Sequence, residues 1–337
     1  MRKISAVLVT GGAGFIGSNF VRYALNRHPD WRVTVLDKLT YAGNLANLED
    51  TRDRITFLEG DIADRLTVRR AMHGVDAVVN FAAESHVDRS LLDAAPFVRT
   101  NVEGVLVLLE ETRRVTDVRL LQVSTDEVYG DMSKRNGHSR EDDPLRPRSP
   151  YAATKAGAEH LVSSYHASYQ LDLVTVRGSN TYGPYQYPEK IIPLFITNAL
   201  AGMPLPVYGD GSAVRDYMHV HDHCAGIDLV LHDGVSGECY NLGARLQISG
   251  VDVARRVLHI LNKPADLIRF VEDRPGHDYR YSVDPSKAES LGWQRQYTFD
   301  HGLSETIAWY ASHTAWWEQV RLTRGHQHLM TRWYAKR

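Results

Sequence analysis

An apolar run, Ala6-Val7-Leu8-Val9-Thr10, passes directly into Gly11-Gly12-Ala13-Gly14-Phe15-Ile16-Gly17 and then into a helix-like stretch. Few continuations are open to such a segment. The run reads as a first strand. The glycines permit a tight turn in which backbone approaches a pyrophosphate seated on a helix N-terminus. Glycine spacing alone is a weak signal. A second β-branched run, Arg32–Asp37, supports it by ending on a carboxylate twenty residues beyond Gly17, where adenosine ribose hydroxyls would be bound. Asp37 repels a 2′-phosphate and favours NAD over NADP, a preference that adjacent Lys38 weakens slightly.

Further short β-branched runs alternate with helix-like stretches. Strands are expected at Ala6–Thr10, Arg32–Asp37, Ile55–Gly60, Ala77–Phe81, Arg119–Ser124 and Leu173–Arg177. Helical patterns fill about 15–22, 64–72, 94–114 and 151–169. This alternation implies an α/β fold, a Rossmann-type doubly wound parallel sheet covered on both faces. From Gly183 onward Pro and Gly punctuate shorter elements, which reads as a smaller mixed α/β substrate-binding lobe interleaved with the sheet domain. The expected division is 1–182 for the cofactor domain, 183–320 mainly for the second lobe, and 321–337 for a basic C-terminal tail. A net charge of −2, with both signs interspersed, points to neither nucleic acid nor a membrane surface as partner. Cys224 and Cys239 form no CxxC, no run of eighteen apolar residues exists, and the first apolar run is too short for a signal sequence. A cytoplasmic protein is expected.

Ser124-Thr125-Asp126-Glu127 ends the fifth expected strand, and Tyr151-Ala152-Ala153-Thr154-Lys155 follows after a polar loop. Tyr151 and Lys155 share a helix face, so the ammonium can lower the phenol's pKa and hold it as a base. A phenolate beside a nicotinamide can take the proton of a sugar hydroxyl while the carbon gives up its hydride. Two further carboxyls are unnecessary for that oxidation. A dehydration needs them, one as base for a carbon-bound proton and one as acid for the departing hydroxyl.

These motifs together resemble the extended short-chain dehydrogenase/reductase superfamily and, within it, the nucleotide-diphosphate-glucose 4,6-dehydratases. The resemblance runs through Gly11–Asn19, Leu39–Asn44, Phe81–Asp88, Ser124–Gly130, Ser149–Lys155, Tyr182–Pro193, Gly209–His223 and Asp273–Asp278. The Thr-Asp-Glu run is its specific part. The resemblance implies NAD as resident cofactor and dTDP-glucose as substrate. It also implies C4 oxidation, loss of water across C5–C6, and return of the hydride to C6. Tyr151 would be the base at C4, Lys155 would tune it and hold the nicotinamide ribose, and Thr125 would bond the C4 hydroxyl. Asp126 would be the acid at C6 and Glu127 the base at C5. The implied cofactor site comprises Gly11, Gly14, Phe15, Ile16, Gly17, Asp37, Lys38, Leu39, Thr40, Ala42, Gly43, Asp61, Ile62, Phe81, Ala82, Ala83 and Thr100, with Tyr151 and Lys155. The implied substrate site comprises Ser85, Thr125, Asn180, Lys190, Ile191, Pro206, Tyr208, Arg215, Arg274 and His277, with the cations around the diphosphate and Tyr208 on the pyrimidine. Thr181, Tyr217 and the Ser249-Gly250 region depart from the family pattern, which leaves a UDP-sugar preference open.

Two other readings fit parts of the pattern. A nucleotide-sugar 4-epimerase would use the phenol and NAD but leave Asp126 and Glu127 idle. A silent NAD-binding regulator would need none of these residues. His219-x-His221-x-His223 matches a stretch without metal in the resembling family, so no metal is expected. The helices at 94–114 and 151–169 carry more apolar and small residues than a solvated face should, consistent with a homodimer.

Overall fold

The computed structural model describes residues 3–273 and 275–331. Six strands build most of the main sheet: β1 (Ala6–Thr10), β2 (Arg32–Asp37), β3 (Ile55–Glu59), β4 (Ala77–Asn80), β5 (Arg119–Thr125) and β6 (Leu173–Gly178). Short strands follow: β7 (Asn180–Tyr182), β8 (Leu205–Tyr208), β9 (Val214–Arg215), β10 (Tyr217–His219), β11 (Cys239–Leu242), β12 (Ile248–Ser249) and β13 (Ile268–Val271). The main sheet has seven parallel strands in the order β11-β6-β5-β4-β1-β2-β3. Strand order reverses between β1 and β4, which opens a crevice at their C-terminal ends.

The helices are α1 (Phe15–Arg27), α2 (Arg65–Ala71), α3 (Val87–Leu92), α4 (Ala95–Val98), α5 (Val105–Thr112), α6 (Pro150–Tyr169), α7 (Ile191–Leu200), α8 (Val220–Asp233), α9 (Gly250–Ile260), α10 (Ser286–Ser290), α11 (Phe299–Ser312), α12 (Thr314–Leu322) and α13 (Arg324–Leu329). Side chains alternate across each strand. Val7 and Val9 therefore join a core with Phe20, Val21 and Ile227 on the α1–α8 face. Leu8 joins a second core with Val68, Leu108, Leu109 and Val162 on the opposite face. A third core, with Phe195, Leu205, Val253, Leu303, Tyr310 and Trp317, fills the smaller lobe. The sheet domain draws β11 and α8 from beyond Gly183, so the two parts of the chain interleave.

Two stretches differ from the periodicity-based expectation. The helix expected over 94–114 runs as α4, a π-helical turn at Arg99–Gly104 and α5 without a break in the helical backbone. The π turn places Thr100 against the crevice, a use of such bulges common at functional sites. A ten-residue 3₁₀ segment, Leu45–Arg54, appears where no helical pattern was read; the Asn44 side chain starts it by accepting from the Ala46 amide at 3.0 Å. Among the described residues no helix is long and apolar enough to cross a membrane.

Candidate active site

The crevice above β1 and β4 is a cleft whose first wall is the glycine turn. Gly11 has a φ of +67°, and a Cβ there would lie 2.5 Å from the Ala82 amide nitrogen. A Cβ on Gly17 would lie 2.3 Å from the Gly11 carbonyl oxygen. Both positions therefore exclude any side chain, and the strand, turn and helix close tightly. No side chain caps α1 at Gly14, so the first-turn amides are left to an anion. The Asp37 carboxylate, 8% exposed, receives the Ala13 amide at 2.9 Å and the Leu39 amide at 2.8 Å. Burial raises its pKa, with the backbone amides opposing the rise. The Lys38 ammonium turns to Asp61 Oδ2 at 2.7 Å, which engages the one cation next to Asp37 that could favour a 2′-phosphate. A close glycine turn, an uncapped helix and a buried carboxylate fit a dinucleotide lacking that phosphate.

Thr125 ends β5 and caps the 3₁₀ turn Asp126–Tyr129, its hydroxyl accepting from the Glu127 amide at 3.3 Å. Across the cleft, Ser149 caps α6 and Pro150 occupies its first position, which starts the helix immediately before Tyr151. Tyr151 and Lys155 then line the cleft from one helix face. Lys155 is 5% exposed; burial lowers its pKa to about 8, against the opposing pull of Glu159. Its ammonium donates to the Val123 carbonyl at 2.6 Å. The expected lowering of the phenol by Lys155 is therefore replaced by a different balance. Burial raises the Tyr151 pKa and the Glu127 carboxylate adds to it, a hydrogen bond with Thr125 opposes the rise, and Asp126 reinforces it.

Asp126 is 2% exposed, takes the Thr125 hydroxyl at 3.3 Å, and has no hydrogen-bond partner at Oδ2. Burial holds it well above the ordinary carboxylate range, with the Glu127 and Asp216 carboxylates adding and the Arg215 guanidinium opposing. Glu127, half-buried, faces a second pocket between the sheet domain and the smaller lobe. Asn180, Lys190, Ile191, Pro206, Tyr208, Arg215 and His277 line it as well. Arg215 is held in place from several sides: its guanidinium donates to the Val214 carbonyl at 2.9 Å, meets His277 Nε2 at 3.0 Å and lies 4.6 Å over the Tyr281 ring. The Asn180 Oδ1 is buried with no hydrogen-bond partner. Lys190 and Glu189 line both the pocket and the cleft, so the two spaces meet there.

The cleft gathers Gly11, Gly14, Phe15, Ile16, Gly17, Asp37, Lys38, Thr40, Ala42, Gly43, Asp61, Ile62, Phe81, Ala82, Ala83, Thr100, Tyr151 and Lys155, together with Ser85. Leu39 is the exception among the expected cofactor residues. At a φ of 55° it gives only its amide, to Asp37, while its side chain packs on the hydrophobic core. Thr125 and Asp126 sit just behind the walls and line neither space. Arg274 lies outside the described residues. Tyr41, Gln186, Tyr187 and Glu189 line the cleft without having been singled out. Arg89 explains two of them, pairing with Glu189 at 2.8 Å and lying 3.9 Å over the Tyr41 ring. Their sequence signal was membership of the Leu39–Asn44 and Tyr182–Pro193 stretches that carry the resemblance. The chain passes from β10 to α8 between His219 and His221, yet these two both lie against Tyr297, and His223 points elsewhere. His219 stacks on Tyr297 at 4.0 Å, and His223 meets the Thr181 hydroxyl at 2.9 Å.

Residues 8–306 match the family described as GDP-mannose 4,6 dehydratase. The low-salt glycan biosynthesis protein Agl12 of Haloferax volcanii is 50% identical over 90% of this chain and 98% of its own length. A dTDP-glucose 4,6-dehydratase of Streptomyces niveus is 47% identical over 94% of this chain and 95% of its own. Among solved structures, the dTDP-glucose 4,6-dehydratase DesIV of Streptomyces venezuelae, with NAD and TYD bound, gives a TM-score of 0.91 at 48% identity. That match covers 94% of this chain and 99% of DesIV.

Proposed function

The chain belongs to the GDP-mannose 4,6 dehydratase family, and we infer that it is an NAD-dependent lyase converting dTDP-glucose to dTDP-4-keto-6-deoxyglucose. One observation carries this reading beyond the fold. Beside the phenol lie two adjacent carboxyls in different settings, Asp126 buried with its pKa pushed well above the ordinary carboxylate range by burial, Glu127 facing the second pocket. A 4-epimerase has no use for such a pair. An elimination needs one acid and one base.

When bound, NAD supplies a hydride acceptor for C4, the same hydride for C6, and a pyridinium charge that would oppose the rise in the Tyr151 pKa. The remaining steps belong to the chain. Tyr151 takes the proton of the C4 hydroxyl, and Thr125 orients phenol and hydroxyl together. The C4 ketone acidifies C5–H, and Glu127 removes that proton. Asp126 passes its proton to the C6 hydroxyl, which leaves as water, and Glu127 gives the C5 proton back when C6 has been reduced. Lys190, Arg215, Asn180 and His277 hold the diphosphate and its surroundings, with Tyr208 against the base and Arg274 joining them by the family pattern. Asp37 holds the adenosine ribose of NAD.

The division into a cofactor part, 1–182, and a sugar-binding part, 183–320, follows the same logic, as does a cytoplasmic location. Exposed apolar side chains on the 94–114 stretch, Val98 at 52% and Leu106 at 38%, suit a homodimer.

Incubation with dTDP-glucose and assay for a keto sugar tests the reading, alongside release of NAD on denaturing the purified protein. Keto-sugar formation by an NAD-containing protein is expected. Interconversion at C4 with no loss of water would establish the epimerase instead.

A further inference from the structure

The family match ends at residue 306, within α11, and α12 lies wholly beyond it. The C-terminal helices nevertheless hold both walls of the cofactor cleft. On the first wall, the Trp316 indole N–H on α12 donates to Asn47 Oδ1 at 2.9 Å. Asn47, 1% exposed, donates its own Nδ2 to the Ala13 carbonyl at 2.9 Å. The Ala13 amide in turn donates to Asp37 Oδ2 at 2.9 Å. An unbroken line of hydrogen bonds thus runs from α12 through a buried amide to the glycine turn and the ribose carboxylate. On the second wall, Tyr185 packs against Trp309 at 4.5 Å and Trp316 at 6.1 Å. The Tyr310 hydroxyl donates to the Gln186 carbonyl, and the Tyr187 hydroxyl meets Thr323 Oγ1 at 3.3 Å. Gln186 and Tyr187 line the cleft.

We propose that α12 is a latch across the cofactor cleft, in which Trp316 and Asn47 are positioning residues that set how slowly NAD leaves. This rests on the dehydratase reading. A hydride taken at C4 and returned at C6 is lost if the reduced cofactor dissociates between the two transfers. Release requires the glycine turn and the 185–190 loop to separate, and α12 is bonded to one and packed on the other. Neither Trp316 nor Asn47 lines the cleft, so their effect on NAD is indirect.

The test is exchange of bound NAD for excess labelled NAD in the purified holoenzyme, with thermal unfolding of NAD-free protein in parallel. Trp316→Phe keeps a ring beside Tyr185 but removes the N–H donor, and should speed release by about 5- to 150-fold, the range for leaving one buried acceptor unpaired. Asn47→Leu should speed release more. The double variant should release no faster than Asn47→Leu alone, because Trp316 acts through Asn47. Unchanged release in either single variant overturns the latch. So do effects that multiply independently or that follow the loss of NAD-free stability, since these mark ordinary packing. A wild-type protein that holds no NAD and forms no keto sugar sinks the dehydratase reading itself; one that holds NAD while the variants release it normally sinks only the latch.

Discussion

The cofactor cleft and the sugar pocket are built by opposite means. One side of the cleft is walled by turns at the ends of β1, β2 and β4, where glycine and alanine bring backbone close to a ligand. The pocket is walled by long side chains, Lys190, Tyr208, Arg215 and His277, set on short elements remote from one another in the chain. A backbone-walled site tolerates almost no change, because a single Cβ at Gly11 or Gly17 meets backbone at 2.5 Å or less. A side-chain-walled site can change its ligand by substitution without rebuilding the fold. Of the residues proposed as catalytic, Tyr151 and Lys155 line the cleft and Glu127 lines the pocket.

Substitutions can test whether the two sites are separable and what joins them. Tyr151→Phe should be the most severe, because the phenol serves the first step on which all others depend. Keto-sugar formation should fall roughly 10⁴-fold, the upper end for a positioned base, with no transient NADH absorbance. An NADH transient in that variant would move the C4 base elsewhere. The carboxylates come next. Glu127→Gln should still form NADH but lose deuterium exchange at C5. Asp126→Asn should form NADH and eliminate water slowly, each variant losing roughly 10²–10³-fold in turnover. Near-normal keto-sugar formation by the double variant would remove the physical basis of the elimination.

Arg215→Ala addresses the pocket alone. Truncating a buried charge that clamps a diphosphate typically costs about 2–5 kcal/mol, so KM for dTDP-glucose should rise at least roughly 30-fold while retained NAD is unchanged. Equal loss of NAD would show that the two sites are one cooperative unit. The smallest effect concerns the cleft's own stability. Lys155 titrates at about 8 in the folded protein against an ordinary 10.5. Between those values the unfolded chain binds the extra proton, so stability rises with pH, and the full penalty of burying the charge is present below about 8. Lys155→Met should therefore abolish activity yet stabilise NAD-free protein by roughly 2–4 kcal/mol near neutral pH, the gain shrinking towards pH 10.5. Gln122 Nε2, at 3.0 Å, keeps the Val123 carbonyl satisfied in that variant. Urea unfolding at neutral and alkaline pH checks both the sign and the trend. A destabilised Lys155→Met protein at neutral pH would mean that the ammonium supports the cleft.

Much of this molecule was legible in the chain because its determinants are local. Strands β1 to β6 fall within a residue of the runs expected from β-branched composition, and the glycine turn, Asp37 and the four-residue spacing of Tyr151 and Lys155 each carry their geometry in short sequence. The 3₁₀ segment at Leu45–Arg54 carries no apolar period and so gave no signal. The π turn hid inside an apolar helical pattern that it shifts by one residue without interrupting. The positions of Tyr151, Asp126 and Glu127, to which the proposed roles of phenol, acid and base attach, were thus legible in sequence alone. Their protonation was set by tertiary structure. Burial first, then the adjacent Glu127 and Asp216, ninety residues on, push the Asp126 carboxyl well above the ordinary carboxylate range, against the pull of Arg215. Lys155 gives its hydrogen bond to the Val123 carbonyl rather than the phenol because β5 passes beneath α6 at that height. Burial and long-range charge exist only once distant segments meet, whereas turn geometry and helical spacing are already present in a few consecutive residues.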